Sequence, residues 1–233
     1  MRTVVLLLIY VILTIFLFLL LLVFWPFGIR DPILGIAKWA MNLGSKVLGL
    51  KIKVSGGERL DPKSSYIFMA NHLSFLDGPL LFWLIPRSIR VILKKEVFRI
   101  PVIGMGMRYV GFIPVDRKRM RGGKRSIDRA VRLMKRRGYS FLIFPEGTRS
   151  RDGRIQAFKR GGFFLALESR APIVPITIKG TYELMPRGRI TTKRGLVNVG
   201  FHPPVPVEEY DQSNMSALMG RVKGAIEAGL RDS

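Results

Sequence analysis

Asn71-His72-Leu73-Ser74-Phe75-Leu76-Asp77 is the stretch whose reading decides the fold and the chemistry. An apolar run, Tyr66 to Ala70, leads into it and reads as a buried strand. Beyond Asp77 the apolar residues change to helical spacing, at Leu80, Leu81 and Leu84, and the helix ends near Pro86. A histidine at a strand end and an aspartate in the first helical turn can face each other across the intervening turn. The carboxylate would then hold one ring nitrogen and leave the other free as a general base. The same spacing also suits a pair that only staples a turn. Ser74 lies between the two, where it reads better as a helix cap than as an acyl-bearing nucleophile.

Composition narrows the partners. The 233 residues suffice for one full core with an appendage. Lys and Arg number 39 against 16 Asp and Glu, a net charge of +23. That excess calls for an anionic partner: a membrane surface, a phosphorylated substrate or nucleic acid. Nucleic acid is not expected, because no aromatic interleaving or binding motif accompanies the basic residues. Cysteine is absent and histidine occurs twice. An acyl-cysteine intermediate is thereby excluded, and no zinc site, other metal or bound cofactor is expected.

The N-terminal segment favours the membrane. Val4 to Phe24 carries no charge over 21 residues. As a helix it reaches about 31 Å, enough to cross a bilayer's hydrocarbon core. Trp25-Pro26-Phe27-Gly28-Ile29 lacks a small-residue cleavage site, so a retained anchor is expected rather than a signal peptide. The basic bulk follows the segment, which puts the main body on the cytoplasmic face. Residues 1–28 are therefore the expected anchor and 29–50 an expected interfacial amphipathic helix, with Lys38, Asn42 and Lys46 forming a polar stripe. The alternative for 29–50 is a helix packed on the domain.

Residues 51–233 read as one α/β domain, in which strands alternate with helices. Strands are expected at Lys51–Val54, Ile89–Leu93, Val110–Arg117, Phe141–Phe144, Ile173–Ile178 and Leu196–Phe201. A loop is expected around Gly104-Met105-Gly106, and helices over Phe163–Ser169 and Ser213–Leu230. Between residues 117 and 137, eleven positions are Lys or Arg, while Ile127, Ala130, Val131 and Met134 keep helical spacing. This is an amphipathic helix with a basic outer face. His202, before two prolines, reads as a surface histidine.

Four stretches, in order, resemble the sequence blocks of the glycerolipid acyltransferases. They are Asn71-His72 with Asp77, Gly111-Phe112-Ile113-Pro114-Val115-Asp116-Arg117, Phe144-Pro145-Glu146-Gly147-Thr148-Arg149-Ser150 and Val174-Pro175-Ile176-Thr177. Phe158-Lys159-Arg160-Gly161 fits as well. Among these enzymes the chain most resembles the bacterial 1-acylglycerol-3-phosphate (lysophosphatidic acid) acyltransferases. The resemblance implies a central mixed sheet flanked by helices and acyl transfer from acyl-CoA or acyl-carrier protein to lysophosphatidic acid, giving phosphatidic acid; the expected anchor and the basic charge put this at the cytoplasmic face of a membrane with anionic lipids. In a bacterium that is the inner membrane. Another lysophospholipid or lyso-aminolipid acceptor, or hydrolysis of the thioester, are the competing outcomes.

The chemistry assigns expected roles. His72 is the base and Asp77 its orienting carboxylate. Backbone N–H groups at the Glu146-Gly147-Thr148 turn are candidate oxyanion donors. Arg117 and Arg149 suit the acceptor phosphate, since a guanidinium grips phosphate in bidentate fashion. By the resemblance Glu146 and Arg149 belong to the acceptor site, Glu146 holding Arg149 or meeting a glycerol hydroxyl. Lys95 is expected to add positive charge.

Overall fold

The computed structural model describes residues 2–28, 30–116 and 120–231. Its elements run α1 (Arg2–Phe24), α2 (Asp31–Leu48), β1 (Leu50–Ser55), β2 (Ile67–Ala70), α3 (Asp77–Leu84), β3 (Ile89–Lys94) and α4 (Ile103–Tyr109). Then follow β4 (Ile113–Val115), α5 (Met120–Arg137), β5 (Ser140–Ile143), α6 (Gly161–Ser169), β6 (Ile173–Lys179), α7 (Thr181–Leu184), β7 (Gly195–Phe201) and α8 (Met215–Arg231).

The four residues of β2 are all fully buried, because both faces of this central strand are covered. Phe68 and Ala70 face one apolar cluster, with α2 and α3; Ile67 and Met69 face the other, with α5, α6 and α8. The sheet has seven strands in the order β1-β7-β6-β2-β5-β3-β4. Its pairings are parallel except β6 with β7, so the expected mixed sheet is what forms. The strands from β6 to β4 all end at one edge. In such sheets a site forms outside the carboxyl ends of the strands. The segments after β2 and β5 emerge there as neighbours.

Three expectations are corrected. The strand expected over Val110–Arg117 shrinks to Ile113–Val115. Gly111 has φ of +92°, and a Cβ on it would lie 3.2 Å from Nε of the buried Arg90, so the chain turns there instead of extending. The loop expected at Gly104-Met105-Gly106 is the helix α4. The polar stripe on α2 is also broken. Lys38 turns toward the domain and donates to the carbonyls of Ile85 and Arg87, 2.7 and 2.9 Å away, just past the end of α3. An ammonium satisfies the unpaired carbonyls of a helix end in this way. Trp39 is exposed in its place.

The segment expected to be an anchor is helical throughout Arg2–Phe24. Among the described residues, however, no helix is long and apolar enough to cross a membrane. In α5, Ala130 and Met134 are buried as their spacing requires.

Candidate active site

Asn71 fixes the end of β2. Its side-chain amide donates to Ile178 O at 2.9 Å and its side-chain oxygen accepts from Ile178 N at 2.8 Å. This two-way bond imitates one more rung of the β2–β6 ladder on a fully buried side chain. The next residue, His72, is thus delivered with a defined backbone. On its other side Glu146, following β5, accepts the His72 backbone N–H at 2.7 Å. The His72 carbonyl accepts from Ser150 N at 2.8 Å.

The histidine ring is held as the spacing predicted. Nδ1 of His72 lies 2.9 Å from Oδ2 of Asp77. The same oxygen accepts the backbone N–H groups of Leu73 and Ser74, each at 2.7 Å. A proton on Nδ1 directed at this oxygen leaves Nε2 with its lone pair. Asp77 is fully buried while the His72 side chain is 20% exposed. The pair is therefore buried on the aspartate side and accessible on the imidazole side. The ring also stacks on Phe144, with centroids 4.0 Å apart.

Glu146 is held between two backbone segments. It is 1% exposed, and its second oxygen accepts Gln156 N at 2.8 Å. Both oxygens brace backbone, and no bond to Arg149 forms. Burial pushes its carboxyl up to about 7, against the two backbone bonds, which favour the charge. Gly147, an expected oxyanion donor, has its N–H bound to Phe144 O at 3.0 Å. Gly147 also has φ of +73°, and a Cβ there would lie 3.1 Å from Nζ of Lys159. Lys159 thus lies over this turn. Thr148 is exposed.

Arg149 is half-buried, with its guanidinium 5.8 Å from the Phe75 ring centre, beside the turn that carries His72 and Asp77. Lys95 pairs with Asp116 at 2.6 Å, each just past the end of its strand, β3 and β4. Arg117 lies outside the described residues. Ser74 does not cap α3. Its buried hydroxyl donates to Met185 O at 2.6 Å and accepts from Leu76 N at 3.2 Å. His202 is not a free surface group either: its Nε2 lies 2.8 Å from Oγ1 of Thr177, which in turn donates to Ile226 O. The roles of Asn71, Phe144 and Lys159 were not singled out from sequence, although all three lie inside or beside the quoted blocks.

The Acyltransferase family model matches residues 51–179. The chain is 30% identical over 174 residues to the 1-acyl-sn-glycerol-3-phosphate acyltransferase of Borreliella burgdorferi, covering 73% of this chain and 69% of that one. It belongs to the 1-acylglycerol-3-phosphate acyltransferase family. The plant enzyme 1-acyl-sn-glycerol-3-phosphate acyltransferase from Limnanthes douglasii is 34% identical over 164 residues, 70% of this chain and 58% of the relative. The chain thus matches a little over half the length of that plant relative. The crystal structure of the 1-acyl-sn-glycerophosphate acyltransferase from Thermotoga maritima superposes with a TM-score of 0.76, covering 100% of this chain and 97% of the other at 26% identity. The family match includes the dyad, the Glu146 turn and the strands that carry them.

Proposed function

We propose that this acyltransferase moves a fatty acyl group from acyl-CoA or acyl-carrier protein to the free hydroxyl of lysophosphatidic acid, giving phosphatidic acid. The observation that carries the reading is the accessible imidazole whose Nδ1 is held by a buried carboxylate. The acceptor hydroxyl binds at Nε2. As its oxygen attacks the thioester carbonyl, its proton passes to Nε2, and Asp77 stabilises the imidazolium. The tetrahedral intermediate collapses, the carbon–sulfur bond breaks, and the imidazolium returns the proton to the leaving thiolate. General-base assistance of this kind contributes about 10²–10⁴-fold.

Transfer is direct. Ser74 already donates its proton to Met185 O and is buried, which disfavours an acyl-serine. Arg149 and Arg117 hold the acceptor phosphate, with Lys95 adding charge at the same sheet edge. Glu146 acts through the His72 backbone. Gly147 and Thr148 shape the turn that flanks the oxyanion.

The anchor is part of this proposal. Helix α1 is 23 residues and so about 34 Å long. Leu8, Ile12, Ile15, Leu19 and Leu22 are each more than half exposed on it. Such a surface is satisfied by lipid, and the basic domain then sits at the cytoplasmic face against anionic lipid. Residues 29–50 join anchor to domain, and 51–233 form the catalytic unit.

The test is acyl transfer from each donor to lysophosphatidic acid, with wild type beside His72→Ala and a form lacking residues 1–28. Phosphatidic acid made by wild type and lost with His72→Ala is expected. Thioester cleavage without transfer would replace the reading by a hydrolase or another acceptor. A truncated form that stays membrane-bound and fully active would remove the anchor's role.

A further inference from the structure

We infer that the turn between β3 and α4 is a second lipid-docking element, inserted in the headgroup region beside the acyltransferase site. The inference rests on the membrane reading above. Its basis is an apolar tip that the fold holds outward. Ile100 is 46% exposed, Ile103 39% and Met105 46%. Beneath them Phe98 is buried, and Gly104 packs so closely on the Phe98 carbonyl that a Cβ would lie 2.2 Å from it. Ile103 N donates to Pro101 O at 2.6 Å and Gly104 N to Ile100 O at 2.8 Å. The tip is therefore a built turn, and its outward side chains add nothing to the core.

Two placements identify the occupant as a bilayer. The helix that carries the tip joins the end of α1: Tyr109, the last residue of α4, stacks on Trp25 at 4.9 Å, and its hydroxyl donates to Phe24 O at 2.7 Å. Trp25 is itself 56% exposed, so the apolar surface continues from the anchor onto α4. The tip also follows the carboxyl end of β3, the sheet edge from which His72 and Glu146 emerge. Arg99 and Arg108 are exposed on either side of the apolar residues. Apolar side chains flanked by guanidinium groups match the boundary between acyl chains and anionic headgroups. A lipid acceptor diffusing in the leaflet would meet the site here without leaving the membrane.

The absence of cysteine makes the test direct. Full-length Ile103→Cys is labelled with an environment-sensitive fluorophore and reconstituted in vesicles of phosphatidylcholine and phosphatidylglycerol. Glu208→Cys, exposed on the far segment before α8, is the control. A blue-shifted emission at 103, quenched by lipids brominated near the headgroup, with no quenching at 208, is expected. In kinetics, a combined Ile100→Ser and Ile103→Ser variant should raise KM for vesicle-borne lysophosphatidic acid about tenfold, leaving kcat and the rate on a short-chain monomeric acceptor unchanged. Vesicle-bound protein without quenching at 103 overturns the inference alone. A blue shift without bromolipid quenching overturns it in favour of a contact with a second protein copy. Failure to bind vesicles at all overturns the membrane reading and the inference together.

Discussion

Asp77→Asn isolates the charge of the dyad from its geometry. In the wild type one carboxylate oxygen, Oδ2, accepts three N–H groups, from His72, Leu73 and Ser74. The other oxygen, Oδ1, is buried and has no hydrogen-bond partner among the described residues. An asparagine carbonyl placed at Oδ2 accepts the same three donors, so the His72 tautomer is kept. Its amide nitrogen takes the Oδ1 position and is left unpaired, a cost of about 1–3 kcal/mol in stability. The loss in the transition state is electrostatic. A carboxylate about 4 Å from the centre of an imidazolium stabilises it by about 4 kcal/mol at an effective dielectric of 20. At 1.36 kcal/mol per decade that is about 10³ in kcat. The assay is steady-state transfer in detergent with thermal unfolding measured on the same samples. A folded variant with kcat within tenfold of wild type would refute the electrostatic role of Asp77. A stability loss well above 3 kcal/mol would refute the claim that asparagine keeps the turn.

Two further outcomes follow from groups close to the dyad. The Glu146 carboxyl is raised from 4.5 to about 7, so between those values the folded protein holds a proton that the unfolded chain has released. Stability is full below the lower value and falls by up to about 3 kcal/mol as pH rises through the window; urea denaturation of wild type should show this slope and Glu146→Gln should lose it. Ser74→Ala strands the Met185 carbonyl and should cost about 1–2 kcal/mol in stability while kcat stays within about tenfold of wild type; an abolished rate together with a lost acyl-enzyme burst would restore the serine nucleophile.

The turn from Ala70 to Asp77 was legible because its signals are local. Strand, turn and helix follow one another, and the dyad needs only residues five apart. The places that were not legible depend on distant partners. Glu146 accepts backbone N–H groups of residues 72 and 156, and no pattern near residue 146 announces those bonds. Lys38 fits a polar stripe by spacing, yet the carbonyls past α3 lie 47 and 49 residues away. In α4 the two glycines of Gly104-Met105-Gly106 hid the helix. Gly104 is there for the close approach to Phe98, a tertiary demand that overrides helix propensity.

The site is joined by bonds between residues far apart in sequence. Asn71 reaches Ile178 across 107 residues, His72 reaches Glu146 across 74, and Ser74 reaches Met185 across 111. Closing such loops one at a time would be costly in chain entropy. Here the sheet order brings two of the connections together in advance. β2 lies between β6 and β5, so Asn71 meets the strand that holds Ile178 and His72 meets the turn that holds Glu146. The site side chains then add mainly their own ordering. It follows that β2 couples stability to catalysis more tightly than the outer strands do. A cavity at Met69 or Phe68 loosens both connections to His72 at once, whereas the same change in β1 loosens neither.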